Sequence, residues 1–182
     1  VMPAVGDVDK DGDTDILIGT SSGQIHWLKN TAGGGNPCNF STFAANAFSF
    51  TTLYAVAAPQ LYDLDEDGNL DLVIGNKAGR LAYYRNAGSG TPFVPSFSLV
   101  TNFLGDVDVK GSSNLYGLDG YAAPFFYKDN GITRLLVGSV SGHIFYYDVP
   151  ANISTPFSQI IPFLNFYSEG AQSAPWFEDL DN

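Results

Sequence analysis

Apolar and polar residues along this chain alternate with a period of two in short runs, and no stretch sustains the 3.6-residue spacing of an amphipathic helix. The clearest runs are Gly23–Asn30, Gly79–Asn86 and Gly142–Asp148, each opening on a glycine and closing on aromatic or charged residues. Just before each lies a compact apolar segment ending in glycine, Ile16–Gly19, Leu72–Gly75 and Leu135–Gly138. Three residues separate the glycines in every case, Thr20–Ser22, Asn76–Ala78 and Ser139–Ser141, which fits short hairpin turns. Further strands are predicted over Phe48–Leu53, Ser96–Phe103 and Phe157–Phe166, giving about four strands per unit. The fold class is therefore all-β.

The alternating segments belong to a longer repeat. Pro3–Gly19 aligns without a gap on Pro59–Gly75. A third copy with a shortened centre runs from Pro124 to Gly138, and a fourth opens at Pro175. A four-stranded unit with two apolar faces needs neighbours to cover both, so such units come in series. The expected architecture is a partial β-propeller over residues 1–182, with units starting near 3, 59, 124 and 175 and the last truncated.

Composition and charge sharpen this picture. Aromatic residues make up 14% of the chain, enough for a packed core rather than a disordered segment. The net charge of -11 disfavours nucleic acid and anionic lipid as partners. Of the nineteen carboxylates, ten fall in two short segments: Asp7, Asp9, Asp11, Asp13 and Asp15, and then Asp63, Asp65, Glu66, Asp67 and Asp71. Clusters of that density need cations. Cys38 is the only cysteine, so no intrachain disulfide forms. No apolar run reaches membrane-spanning length, and the first residues lack the pattern of an export signal.

The pattern Asp-x-Asp-x-Asp-Gly-x-x-Asp, followed by an apolar strand and glycine and repeated at this spacing, resembles the FG-GAP/VCBS repeats of integrin α-chain-like β-propellers. The linking strands also resemble those of large surface and secreted proteins of Bacteroidetes exported by the type IX system. The resemblance implies calcium-binding blades of an extracellular protein. Ca²⁺ takes six to eight oxygen ligands, and alternating carboxylates on a tightly curled loop supply them. In loop one the expected side-chain ligands are Asp7, Asp9, Asp11 and Asp15, with the carbonyl of Asp13 and a sharp turn at Gly12. In loop two they are Asp63, Asp65, Asp67 and Asp71, with the carbonyl of Asn69 and the turn at Gly68. An EF-hand would need a helix and a glutamate at position twelve; here that position is Ile18 or Ile74, inside a strand. Two Ca²⁺ ions are therefore expected.

Other features are weaker. Tyr127–Ile132 has lost the carboxylate series and carries Asn130-Gly131, a tight-turn signal, so an ordinary hairpin is expected there. Gly105–Gly111 begins like a calcium loop, but Lys110 and Asn114 take its fifth and ninth positions. Gly19–Gly23 matches the Gly-x-Ser-x-Gly nucleophile elbow, yet Lys77 and Val140 replace Ser21 in the aligned turns. His26 and His143 lie at different offsets from their glycines and form no equivalent pair. The aromatic positions Trp27, Tyr83-Tyr84 and Tyr146-Tyr147 suit either inter-sheet packing or stacking on sugar rings. No nucleophile–base constellation stands out, so the expected function is non-enzymatic: a scaffold, adhesion, or protein- or glycan-binding module of a secreted or cell-surface protein. The expected partners are further blades of the same polypeptide and a protein or glycan ligand, without membrane insertion. The alternative is a set of non-catalytic blades in a larger secreted polysaccharide-degrading enzyme.

Overall fold

The computed structural model describes residues 2–40, 42–45, 47–50, 55–110, 119–164 and 173–175, with backbone alone at 49 and 161–164. They form three antiparallel four-stranded sheets, each in simple meander order. The first contains β1 (Met2–Gly6), β2 (Asp15–Gly19), β3 (Ile25–Lys29) and β4 (Thr42–Ala44). The second contains β5 (Ala57–Tyr62), β6 (Asp71–Asn76), β7 (Leu81–Asn86) and β8 (Phe97–Thr101). The third contains β9 (Ala123–Asp129), β10 (Ile132–Gly138), β11 (Ile144–Asp148) and β12 (Ser158–Leu164).

Period-two alternation sends each strand's residues to two faces, and both faces carry apolar side chains. On the second sheet, Leu72, Ile74, Ala82 and Tyr84 pack toward the first sheet, against Leu17 and Ile25. Its other face, with Val73, Leu81 and Tyr83, packs against Phe126, Leu135, Val137 and Tyr147 of the third. Tyr83 and Tyr84 are thus both buried, one in each inter-sheet core. That is the packing role of the recurring aromatic positions.

The first strands of the sheets lie side by side, β1 against β5 and β5 against β9. Pro3, Val5, Pro59, Leu61, Pro124 and Ala174 line a cavity of about 360 Å³ between them. This arrangement is compatible with blades about a propeller axis. Between β5 and β9 the Gln60 amide bridges to one backbone position, its Oε1 accepting from Phe126 N and its Nε2 donating to Phe126 O at 3.0 Å.

The passage from one unit to the next is the same each time. Ala57 N donates to Thr20 O at 2.9 Å, Ala122 N to Asn76 O at 3.0 Å, and Ser173 N to Ser139 O at 3.0 Å. Thr20, Asn76 and Ser139 each follow the closing glycine of the repeat motif. A side chain on those glycines would overlap the crossing backbone: the carbonyl of Ala57 at Gly19, of Ala122 at Gly75, and of Ser173 at Gly138. The closing glycine of the motif is therefore a crossing point for the next unit's chain.

One expectation changes. The strand anticipated at Phe48–Leu53 is instead a short turn at Ala47–Ser49, with Phe48 at φ 62°, and residues 51–53 lie outside the described set. The fourth strand of the first sheet is Thr42–Ala44, which pairs with Trp27–Lys29. Phe48 serves as an aromatic plug: its ring stacks on Trp27 at 5.3 Å and meets Phe97 edge-on at 4.9 Å. The segment that begins like a calcium loop, set aside for Lys110 and Asn114, is a packing element, with Val107 and Val109 fully buried against the second sheet and Asp108 beside Arg80. Asn114, residues 165–166 of the last predicted strand, and Asp179 and Asp181 of the fourth motif lie outside the described residues.

Gly75→Ala is expected to destabilise the protein by about 1–3 kcal/mol or more, because backbone rather than a flexible side chain must move. Chemical denaturation would read this as a lower midpoint. An unchanged midpoint would show that the crossing is not tight.

Candidate metal centre

The two acidic loops join β1 to β2 and β5 to β6. Their curl is built from their own carboxylates: Asp7 accepts the backbone N–H of Asp11 at 3.1 Å and of Gly12 at 3.0 Å, and Asp63 accepts that of Gly68 at 2.9 Å. The chain adopts left-handed backbone at matching places, Lys10 and Gly12 in loop one and Glu66 and Gly68 in loop two.

The last carboxylate of each motif anchors the loop. Asp15 is wholly buried, accepting from Asn30 N at 2.7 Å and Val8 N at 3.3 Å. Asp71, also wholly buried, accepts from Asn86 N at 2.8 Å, Leu64 N at 3.2 Å and the Tyr83 hydroxyl at 2.9 Å. Burial pushes both carboxyl pKa values up against the pull of these donors, and the nearby charges of Asp9 and Asp65 push the same way. Burial and the bond to Asp71 raise the Tyr83 hydroxyl as well, keeping it a donor.

Around these anchors the fold gathers Asp7, Asp9 and Asp15 in one loop and Asp63, Asp65 and Asp71 in the other. In each set one oxygen per residue lies within 4.8 Å of the others. Asp9 is 6% exposed, and its Oδ1 is buried without a hydrogen-bond partner; Asp63 Oδ1 is a second such atom. An unpartnered buried carboxylate oxygen costs free energy unless a cation meets it. Hard oxygen donors in convergent array suit Ca²⁺.

The remaining predicted site residues have other partners. Asp11 accepts from Asp13 N at 3.1 Å and pairs with Lys29 at 3.0 Å. Burial opposes its ionisation, but Lys29 and that amide outweigh it and hold the pKa below the usual value. Asp67 likewise accepts from Asn69 N at 2.8 Å and pairs with Arg85 at 3.0 Å, again with a pKa lowered against burial. The Asp13 carboxylate accepts from Gly33 N at 2.5 Å, so its side chain fastens the loop after β3. Asn69 offers its amide N–H to Asp67.

Two positions escaped the sequence reasoning. Asn30 Oδ1 accepts from Ala32 N and Asn39 N, and Asn86 Oδ1 accepts from Gly88 N and Ser96 N, closing the loops after β3 and β7. Their recurrence seven residues after Gly23 and Gly79 was the available signal, and the third unit has Val149 there. That third unit turns through Asn130 (φ 48°) and Gly131 (φ 81°), the hairpin expected of the pair.

With both loops in place, the chain can be compared with known families. Residues 7–74 fit the family model described as FG-GAP-like repeat. The likeness to FG-GAP-like repeats thus covers this stretch of the chain. The match runs from the first ligand candidate of loop one through loop two to Ile74 in β6, spanning both acidic clusters. No curated protein and no solved structure matches the chain.

Tyr83→Phe removes one of three donors from a buried carboxylate. It is expected to cost about 1.5–3 kcal/mol, the range for hydrogen bonds to charged groups. Urea denaturation in calcium-free buffer measures it; a loss below about 0.5 kcal/mol would mean that the two backbone donors suffice.

Proposed function

We propose that this chain is a calcium-stabilised segment of a β-propeller in a secreted or cell-surface protein, acting as a scaffold or as an adhesion, protein- or glycan-binding module rather than as an enzyme. The observation that carries this reading is the pair of matching carboxylate clusters, each with a buried oxygen that lacks a partner. The FG-GAP-like repeat supports it, since such repeats commonly occur in extracellular proteins. Among the described residues no helix is long and apolar enough to cross a membrane. Loops of this type suit the roughly 10⁻⁴–10⁻³ M affinities of extracellular calcium modules. Asp7, Asp9 and Asp15, and Asp63, Asp65 and Asp71, would hold the ions, and two Ca²⁺ would offset four of the eleven net negative charges.

Calorimetric titration of the metal-free chain should show two Ca²⁺ sites. Asp9→Ala should abolish one and Asp65→Ala the other. Chelator should lower the melting temperature; a melting curve indifferent to both calcium and chelator would reject the reading.

The proposed partners include further sheets of the same kind. The first sheet's outer face carries Val5, Ile16, Ile18, Leu28 and Phe43, with Val5 63% and Phe43 58% exposed. The matching positions Leu72, Ile74 and Tyr84 on the second sheet and Leu135, Val137 and Tyr147 on the third are covered by the preceding sheet. A further blade would cover this face in the same manner. Hydroxyl-radical footprinting of the native protein should find Val5 and Phe43 protected. Full labelling there would mean that the face is free.

A further inference from the structure

The acidic loops do not stand without positive charge. At the end of β3, Lys29 contacts the carboxylate of Asp9 and lies 3.0 Å from Asp11 Oδ2. At the end of β7, Arg85 reaches Asp65 at 2.6 Å through Nε and Asp67 at 3.0 Å through Nη2. Lys29 and Arg85 hold the same place, six residues after the glycine that opens the strand, and each grips the second and third carboxylates of its own loop. In loop one the base takes Asp9 Oδ2, while Oδ1 stays buried and unpartnered.

The third unit is an internal comparison. Where Lys29 and Arg85 stand, it has Asp148; where the buried Asp15 and Asp71 stand, it has Arg134. The signs are exchanged. Arg134 pairs with Asp148 directly across the β10–β11 register, with Asp129 3.9 Å from its Nε. Lacking the acidic loop, the third unit also lacks the basic residue at that place. The basic side chain therefore goes with the carboxylate series rather than with the strand as such.

We propose that Lys29 and Arg85 are tethered counter-cations that hold the acidic loops in shape before calcium binds and that weaken calcium binding as a result. This rests on the calcium reading above. The argument is one of linkage. In the ion-free loop the ammonium or guanidinium group is the nearest positive charge to two carboxylates that would otherwise repel each other. When Ca²⁺ draws on Asp9 or Asp65, the carboxylate that the ion's set and the base share, the attraction for the base falls and the base is repelled by the ion. A group that stabilises the ion-free state more than the bound state must lower affinity, and calcium must loosen that group in turn. The bases are partly exposed, Lys29 at 30% and Arg85 at 48%, so the effect is moderate rather than a block.

The test uses Lys29→Met and Arg85→Met, which keep length and apolar stem while removing charge, with Lys29→Arg and Arg85→Lys as charge-preserving controls. In chelator each Met variant should melt at a lower temperature than the parent, and saturating calcium should close that gap. Titration with CaCl₂ should show Kd tightened on the order of fivefold at the altered loop and unchanged at the other. The charge-preserving variants should stay near the parent in both measurements. Unchanged or weaker calcium binding in the Met variants would overturn the proposal, weaker binding meaning that the base aims the ligands instead. If the parent bound no calcium, the calcium reading would fall. The melting temperatures in chelator would then still decide whether the bases hold the loops.

Discussion

The arrangement depends on a buried carboxylate at the start of the second strand. Asp15 and Asp71 receive backbone N–H groups from two directions, from their own loop at Val8 or Leu64 and from the end of the next strand at Asn30 or Asn86. One side chain thus ties the loop, the second strand and the third strand together at a depth where water cannot substitute. It also brings negative charge into the interior, which the rest of the loop must answer with donors and cations. The curl of the loop, built by Asp7 or Asp63, brings further carboxylates beside that anchor, and the basic residue on the third strand faces them.

Where the anchor changes sign, the surroundings change with it. Arg134 leaves no reason for a carboxylate series, and the connection contracts to a two-residue turn through Asn130 and Gly131. The apolar packing is unaffected: Leu135 and Val137 fill the core beside Tyr83 as Leu72 and Ile74 fill the one beside Leu17. Charge chemistry at the rim and apolar packing between sheets are thus separable layers of one repeat. Contact across the rim does persist, since Lys128 from the third sheet reaches Glu66 of loop two at 2.7 Å.

Much of this was legible in the sequence, for physical reasons. Alternation marked the third strand of each sheet, and a compact apolar segment ending in glycine marked the second, because both lie inside a sheet between two other strands. The ungapped alignment of Pro3–Gly19 on Pro59–Gly75 marked the acidic loops, and the strand after Asp15 or Asp71 ruled out an EF-hand. The fourth strand of the first sheet was not legible. Thr42–Ala44 is short and largely exposed, whereas Phe48 and Phe50 form the more apolar segment because they plug a core. Within the site, spacing alone did not separate Asp11 and Asp67, which face the bases, from the carboxylates that converge, since all alternate alike. The work of Asn30 and Asn86 was hidden as well, because closing a loop through a side-chain carbonyl leaves no pattern beyond the recurrence of the residue itself.

The main-chain staple between units, from the residue after each closing glycine to the opening of the next unit, asks for almost nothing in the way of side chains. Thr20, Asn76 and Ser139 share no chemistry except a carbonyl oxygen, and Ala57, Ala122 and Ser173 contribute only an amide. Units joined this way can diverge at their rims without losing their place in the row. The third unit has already exchanged an acidic loop for a two-residue turn and an inverted ion pair, yet it receives the chain from β7–β8 and passes it on as its predecessors do. Such a joint lets an array gain, lose or duplicate members by recombination, with ligand chemistry drifting independently of architecture.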